Sequence, residues 1–357
     1  MSSFDAGFFA SKEPDEVVKT ALRSCFANGW AAFVTAASLL VPATALNLGF
    51  SYLIGRTGAL DSIMSLQGGQ VDPTKIDMSE LFGNIGVLVG GAVVVGGAWL
   101  LSAFAAAAAV VRMMAERALG RTYGPAEAWD FVLGKAFRLI GGGIVLGVVL
   151  FVGYIIASIP AGIVAMVVGM ATGGVKPGAT PSPLMQIIPA IVVLPIVALV
   201  ATYVVSMPAV VAVEDLGGIS AVFRSFRLVS GNFRRAVTAV ILGGLITILP
   251  VVVVQTVLQQ VFMKQLTAAL GGGPGMLAVQ GPGTILSLLT WPILFTVQAF
   301  IYFDLRSRQA EADFTPYELT LEVGGELPEG VQDPVVGSTL VGPASADGSA
   351  PSDISRG

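Results

Sequence analysis

Long runs without a single Asp, Glu, Lys or Arg dominate the pattern of this chain: Trp30–Gly55, Leu81–Val111, Leu139–Val175, Pro177–Val213 and Ala236–Met263. Each is longer than the ~20 residues a helix needs to cross a hydrocarbon layer ~30 Å thick. A sixth apolar stretch, Gln265–Phe303, opens on GGGPG and GPG, which read as a loop, and takes on a helical pattern from about Thr284. The pattern predicts an all-α integral membrane protein with six transmembrane helices, in one domain over residues 1–317.

Between these runs the period changes. Val18, Ala21, Leu22 and Cys25 follow the spacing i, i+3, i+4, i+7, as do Trp129, Val132, Leu133 and Ala136, and again Ile219, Val222, Phe223 and Phe226. That is the apolar stripe of a helix. The opposite faces carry Lys19 and Arg23, Asp130 and Lys135, and Arg224 and Arg227. Two spans follow each stripe, so three repeats are expected, over about 15–112, 126–213 and 219–308, each an amphipathic interfacial helix plus a transmembrane hairpin. Pro160 and Pro250 stand equally far beyond Trp129 and Ile219, while Pro42 comes earlier in its unit.

Helices of this kind suit the headgroup boundary, with the apolar face among the acyl chains. Lys19, Arg23, Lys135, Arg138, Arg224, Arg227, Arg234 and Arg235 would then meet anionic phospholipids, at about 1 kcal/mol of attraction each. Docking of the same faces onto the ends of the spans is the alternative.

Composition agrees with a membrane class: 54% of residues are apolar and 12% are charged, about half the charge of a soluble domain. Of 19 Lys and Arg, only Arg56, Lys75, Lys176 and Lys264 fall in the odd-numbered loops. The excess of positive charge in the other segments places both termini in the cytoplasm, with the chain a multi-pass protein of the cytoplasmic (inner) membrane. Acidic residues gather instead in an outer loop, at Asp61, Asp72, Asp77 and Glu80. The opening MSSFDAGFFASKEPDEVVKT is acidic and polar, and no cleaved signal is expected from it. From about Glu318 the chain turns acidic and rich in Gly, Pro and Ser, so residues 318–357 are expected to form a disordered cytoplasmic tail.

Candidate chemistry is sparse. The chain has no histidine, and no ionisable residue lies within a span, whereas proton-coupled transporters and voltage sensors carry such groups inside the membrane. The polar side chains expected within the spans are Asn47, Gln255, Gln259 and Gln298, which fit either a polar cleft or hydrogen bonds between helices. Gly86 with Gly90 and Gly143 with Gly147 form G-x-x-x-G pairs, which allow close helix packing within the chain or between two copies. Nucleophile elbow, P-loop and zinc signatures are all missing. Carboxylates occur at the charged edge as Glu116, Glu214, Asp215 and Asp304. Arg112 with Glu116 and Asp304 with Arg308 are spaced for ion pairs one helical turn apart. The single cysteine, Cys25, reads as a small apolar residue on a helix face. No catalytic residue, cofactor, metal or nucleic acid is expected; the implied partners are anionic phospholipids, and beyond them a homo-oligomer or a membrane enzyme.

Two stretches carry a family resemblance. GISAVFRSFRLVSGNFRRAV, residues 218–237, has the form A-x-x-x-S-x-x-L-x-x-G-N-F, and IYFDLRSRQAEADF, residues 301–314, has the form Y-x-D-x-R-x-R through Tyr302, Asp304, Arg306 and Arg308. They resemble the membrane domain attached to some bacterial glycerophosphoryl diester phosphodiesterases and its stand-alone inner-membrane relatives of the YciC type. The likeness covers roughly residues 208–316, with a weaker echo at Glu116–Leu139. It implies an envelope protein linked to lipid or glycerophosphodiester metabolism, and it brings no catalytic residues, because the phosphodiesterase barrel of the fused members is absent.

Overall fold

The structure is a computed structural model and describes residues 12–27, 29–57, 78–171, 183–309 and 315–324. The acidic outer loop up to Asp77, Lys75, Lys176 and the tail beyond Gly324 lie outside the described residues. All secondary structure among the described residues is helical. In chain order the helices are α1 (Pro14–Ala27), α2 (Gly29–Thr57), α3 (Met78–Ala118), α4 (Pro125–Gly134), α5 (Ala136–Ala171), α6 (Pro183–Val204) and α7 (Met207–Val213). There follow α8 (Gly218–Ser230), α9 (Phe233–Val257), a π turn over Leu258–Phe262, α10 (Met263–Leu270), α11 (Gly272–Ser307) and α12 (Pro316–Val323).

Six segments are long and apolar enough to cross a membrane, lying in α2, α3, α5, α6 with α7, α9 and α11. Each packs against its neighbours in sequence, α11 closes the ring onto α2, and α11 also reaches across to α3. Small residues let the backbones approach: Ala106–Val111 of α3 are fully buried, and close approach is what holds helices together where lipid is as apolar as the side chains. The outer faces carry exposed Val, Ile and Leu, as at Val93, Ile144, Ile163 and Val252. The short helices α1, α4, α7, α8 and α12 gather at one end, called here the charged end; the opposite end is the distal end.

Three expectations change. The fourth span breaks at Val205–Ser206 because Pro208 has no N–H to donate to the Val204 carbonyl and its ring crowds that group. The sixth span is helical from Gly272, one turn after another, through Pro282 and Pro292; neighbouring helices tolerate prolines that a sequence pattern treats as loop punctuation. At the far end, ordered chain passes Glu318 to form α12, with Leu319 and Thr320 buried and the Thr315 hydroxyl accepting from the Glu318 N–H.

The three amphipathic helices are used differently. The stripe of α1 turns inward, with Val18, Ala21 and Cys25 buried against α9 and α11. In α8 the stripe is split: Ile219 and Phe223 are 66% and 69% exposed, whereas Val222 packs on the core and Phe226 stacks on Tyr203, and Ala221, Ser225, Leu228 and Val229 face the bundle. In α4, Leu133 is exposed and Ala128 is buried. One spacing therefore serves opposite ends of the same choice, bundle or surroundings, and the helices are not equivalent in their packing. Of the two G-x-x-x-G pairs, Gly143 and Gly147 pack on Leu101 and Leu100 of α3, whereas Gly86 and Gly90 face open space.

Candidate functional site

Polar side chains concentrate in two places, one ionic and one neutral. The ionic cluster lies at the charged end, where α7 delivers Glu214 to the foot of α11. Glu214 accepts from Arg306 and from the Tyr302 hydroxyl at 2.9 Å, and its other oxygen accepts from Arg224 Nε at 2.7 Å. The second guanidinium nitrogen of Arg306 donates to Glu322 of α12. Side chains of Glu214 and Arg306 are only 10% and 11% exposed, so each satisfies the other where water cannot. Arg112 pairs with Glu116 at 2.8 Å, and Arg121 reaches the same carboxylate at 3.0 Å. Both arginines also donate to carbonyls at the end of α12, Val323 and Gly324. Nearby, Asp304 pairs with Arg308 at 3.2 Å and accepts from the Lys12 N–H at 2.7 Å, which fastens the start of α1.

The eight cations assigned to lipid headgroups divide accordingly. Arg224 is turned inward to Glu214, a correction caused by the carboxylate that α7 places beside it. Lys135 and Arg138 both bind Asp215, and Arg235 binds Glu13 at 3.1 Å. Lys19 pairs with Asp15 on the exposed face of α1. Arg23, Arg227 and Arg234 are exposed, and Phe26, Trp30 and Phe223 are exposed on the same end of the molecule. The residues that carry the family resemblance meet here: Ala221, Ser225 and Leu228 form the inward face of α8, and Tyr302, Asp304, Arg306 and Arg308 all join the ionic cluster.

The neutral cluster lies in the distal half, inside the bundle. A cavity of about 270 Å³ is lined by Thr44 and Asn47 of α2, Thr247 and Gln255 of α9, and Gln280, Thr284, Ser287 and Thr290 of α11. Gln255 Nε2 donates to Gln280 Oε1 at 2.9 Å. A Cβ on Gly283 would collide with the Gln255 amide, so glycine there is what lets the amide lie against α11. The hydroxyls of Thr247 and Ser287 donate to carbonyls one turn back, Gly243 and Gly283, which leaves their lone pairs as acceptors. Trp99 and Trp291 meet edge to face, with centroids 4.7 Å apart, at the side of the cavity nearest the charged end.

A second cavity of about 430 Å³ shares Asn47, Trp99 and Gln280 with the first and is otherwise mostly apolar, through Phe50, Ile54, Ala92, Val95, Gly96 and Met276. No residue lining either cavity is ionisable.

Of the four amide residues proposed from sequence, Asn47 and Gln255 come together here. Gln259 does not line the cavity and is exposed, because the π turn that begins at Leu258 breaks the helical register one turn beyond Gln255. Gln298 is not part of the lining, and its buried Oε1 has no partner. The amide that completes the site is Gln280, which the sequence reading had placed in a loop. Once the segment is helical, Gln280, Gly283, Thr284, Ser287, Trp291 and Leu294 fall on one face of α11.

No family model, curated protein or solved structure matches this chain.

Proposed function

We propose that this is a membrane protein without catalytic machinery whose six-helix bundle binds lipid, in the bacterial inner membrane with both termini cytoplasmic. The single observation that carries the reading is the amide and hydroxyl cavity inside the distal half of the bundle. Polar groups are costly within a membrane domain unless something satisfies them, and the Gln255–Gln280 pair satisfies only part of this set. A guest with hydrogen-bonding atoms and apolar bulk would complete it. The exposed Phe26, Trp30 and Phe223, with Arg23, Arg227 and Arg234 on the same end, suit a rim lying in the anionic headgroup layer. The resemblance to the glycerophosphodiester phosphodiesterase membrane domain fits a role beside lipid metabolism.

Passage of an uncharged or lipidic solute is the second reading. The charged end below the two tryptophans is packed with fully buried residues, among them Val110, Met113, Met207 and Tyr302, and that favours holding a guest over passing it through. The test is lipid retention. Protein extracted from membranes in mild detergent should keep about one lipid per chain by native mass spectrometry, and Gln255→Leu with Gln280→Leu should strip it. Equal lipid content in both proteins would sink the proposal.

A further inference from the structure

We propose that the guest is a neutral amphiphile of the diacylglycerol class, its hydroxyl head in the amide cavity and its chain in the adjoining groove. The inference rests on the lipid-binding reading above and narrows it to one class of headgroup. Its basis is the contrast between the two joined cavities. The first offers free Asn47, the remaining amide hydrogens of Gln280 and the lone pairs of Thr247 and Ser287. Those are donors and acceptors together, which a hydroxyl can match because it both gives and takes a hydrogen bond.

A phosphate or an ammonium group cannot be matched there. None of the lining side chains bears charge, and a buried ion without a partner costs several kcal/mol. The nearest described cation on α2, Arg56, lies beyond Ile54, is exposed, and lines neither cavity. The second cavity supplies the apolar half. Its wall on α3, Ala92 and Gly96, is exposed on the outside of the bundle, and a Cβ at Gly96 would meet nothing within 4 Å. A chain can therefore leave the cavity sideways into the surrounding lipid, between α2 and α3. Asn47, Trp99 and Gln280 stand where head and chain join.

The two tryptophans give a direct readout, because the chain has 4 and the others, Trp30 and Trp129, lie at the charged end. In a Trp30→Phe, Trp129→Phe background, emission comes from Trp99 and Trp291 alone. The full chain is placed in detergent micelles and titrated with diacylglycerol brominated on its chains, then with equally brominated phosphatidylglycerol and phosphatidylethanolamine. The expected result is half-quenching by diacylglycerol at a mole fraction at least about tenfold lower than by either phospholipid, the difference that 1.4 kcal/mol produces.

Gly96→Phe, which enters open space and leaves the backbone contacts alone, should weaken diacylglycerol quenching by about tenfold with an unchanged thermal midpoint. Gln280→Leu should weaken the quenching to a similar degree from the head side, with the small fall in thermal midpoint that loss of its contact to Gln255 brings. If phospholipids quench as well as diacylglycerol, and both variants lose that quenching, the neutral-head inference is overturned while lipid binding stands. If no lipid quenches, both readings fall. Quenching by diacylglycerol that survives Gly96→Phe and Gln280→Leu would place the lipid elsewhere and overturn the inference too.

Discussion

At the charged end Glu214 collects two arginines and a tyrosine hydroxyl, and almost no water reaches the group. In the distal half Gln255 and Gln280 make one amide contact beside a cavity, and the rest of their hydrogen-bonding capacity faces open space. The two clusters share α3 and α11, which carry Arg112, Glu116, Tyr302 and Arg306 at one end and Trp99 and Gln280 at the other, yet one is closed and the other is not. A closed ionic cluster fixes geometry, because every charge in it depends on its partners. An unfinished neutral cluster is tolerable without a guest, since an unpaired amide costs far less than an unpaired ion, and it gains when a guest arrives.

The sharpest way to break that contrast is to remove its ionic hub. Glu214→Ala leaves Arg306 and Arg224 buried without their shared carboxylate, and loss of one partner of a buried pair costs about 3–5 kcal/mol. The expected outcome is a large fall in the thermal midpoint of the detergent-solubilised protein, the largest of any single substitution considered. A midpoint within the range of surface variants would show that the cluster does not fix the bundle.

A smaller effect is expected where α2 and α11 touch in the distal half. A Cβ on Gly55 would press into the Gly272 carbonyl, and one on Gly272 into the Gly55 carbonyl, so in both directions the nearest obstacle is backbone, which cannot swing away. Gly55→Val should cost about 1–3 kcal/mol, as overpacking does, and should shift the cavity lining at Met276, whose side chain also meets that position. Gln280→Leu comes next. It removes the amide contact to Gln255 and should change stability by only about 0.6–2 kcal/mol, the range for hydrogen bonds between membrane helices. Glu214→Ala and Gln280→Leu sharpen the comparison because Gln280→Leu should weaken lipid binding at little cost in stability, whereas Glu214→Ala should cost much stability and leave the lining of the cavity intact.

How far this was legible in the sequence depends on which physical signal each region uses. Charge-free runs longer than a bilayer is thick are a coarse, additive signal, and the six spans follow from it. The pairs Arg112–Glu116 and Asp304–Arg308 were legible because one turn of helix sets their spacing. Glu214 with Arg306 was not, since the partners come from α7 and α11 and only the packing of the bundle brings them together. The direction in which an amphipathic stripe faces was also hidden. Ile219 and Phe223 look outward and Val18 and Cys25 inward, although all follow the same spacing, because in a membrane protein an apolar face has two acceptable destinations. Gln280 was lost to the Gly and Pro around it, which signal loops in water and are accommodated within packed membrane helices.

The smallest effect concerns pH, and it separates the two regions by chemistry alone. Burial pushes the Glu322 carboxyl above its ordinary value of 4.5, against Arg306, which pulls it back. A carboxyl with a raised value in the folded state binds its proton more readily there, so its ionised form weakens the docking of α12; docking is strongest below the ordinary value and is lost as pH rises from there through the raised one. Asp215 behaves oppositely: burial raises it, but hydrogen bonds from Arg138 and Lys135 outweigh that and hold it below 3.8, so its contribution is lost only under stronger acid. As pH rises from the ordinary carboxyl value through the raised one, amide exchange over 316–323, corrected for its intrinsic rate, should therefore quicken a few-fold. Glu322→Gln should flatten the response. Peptides covering Gln255 and Gln280 should show none at all, because no lining residue there titrates; a matching response in both places would mean that the distal half senses the charged end through the shared helices, and the division drawn between the two clusters would then be wrong.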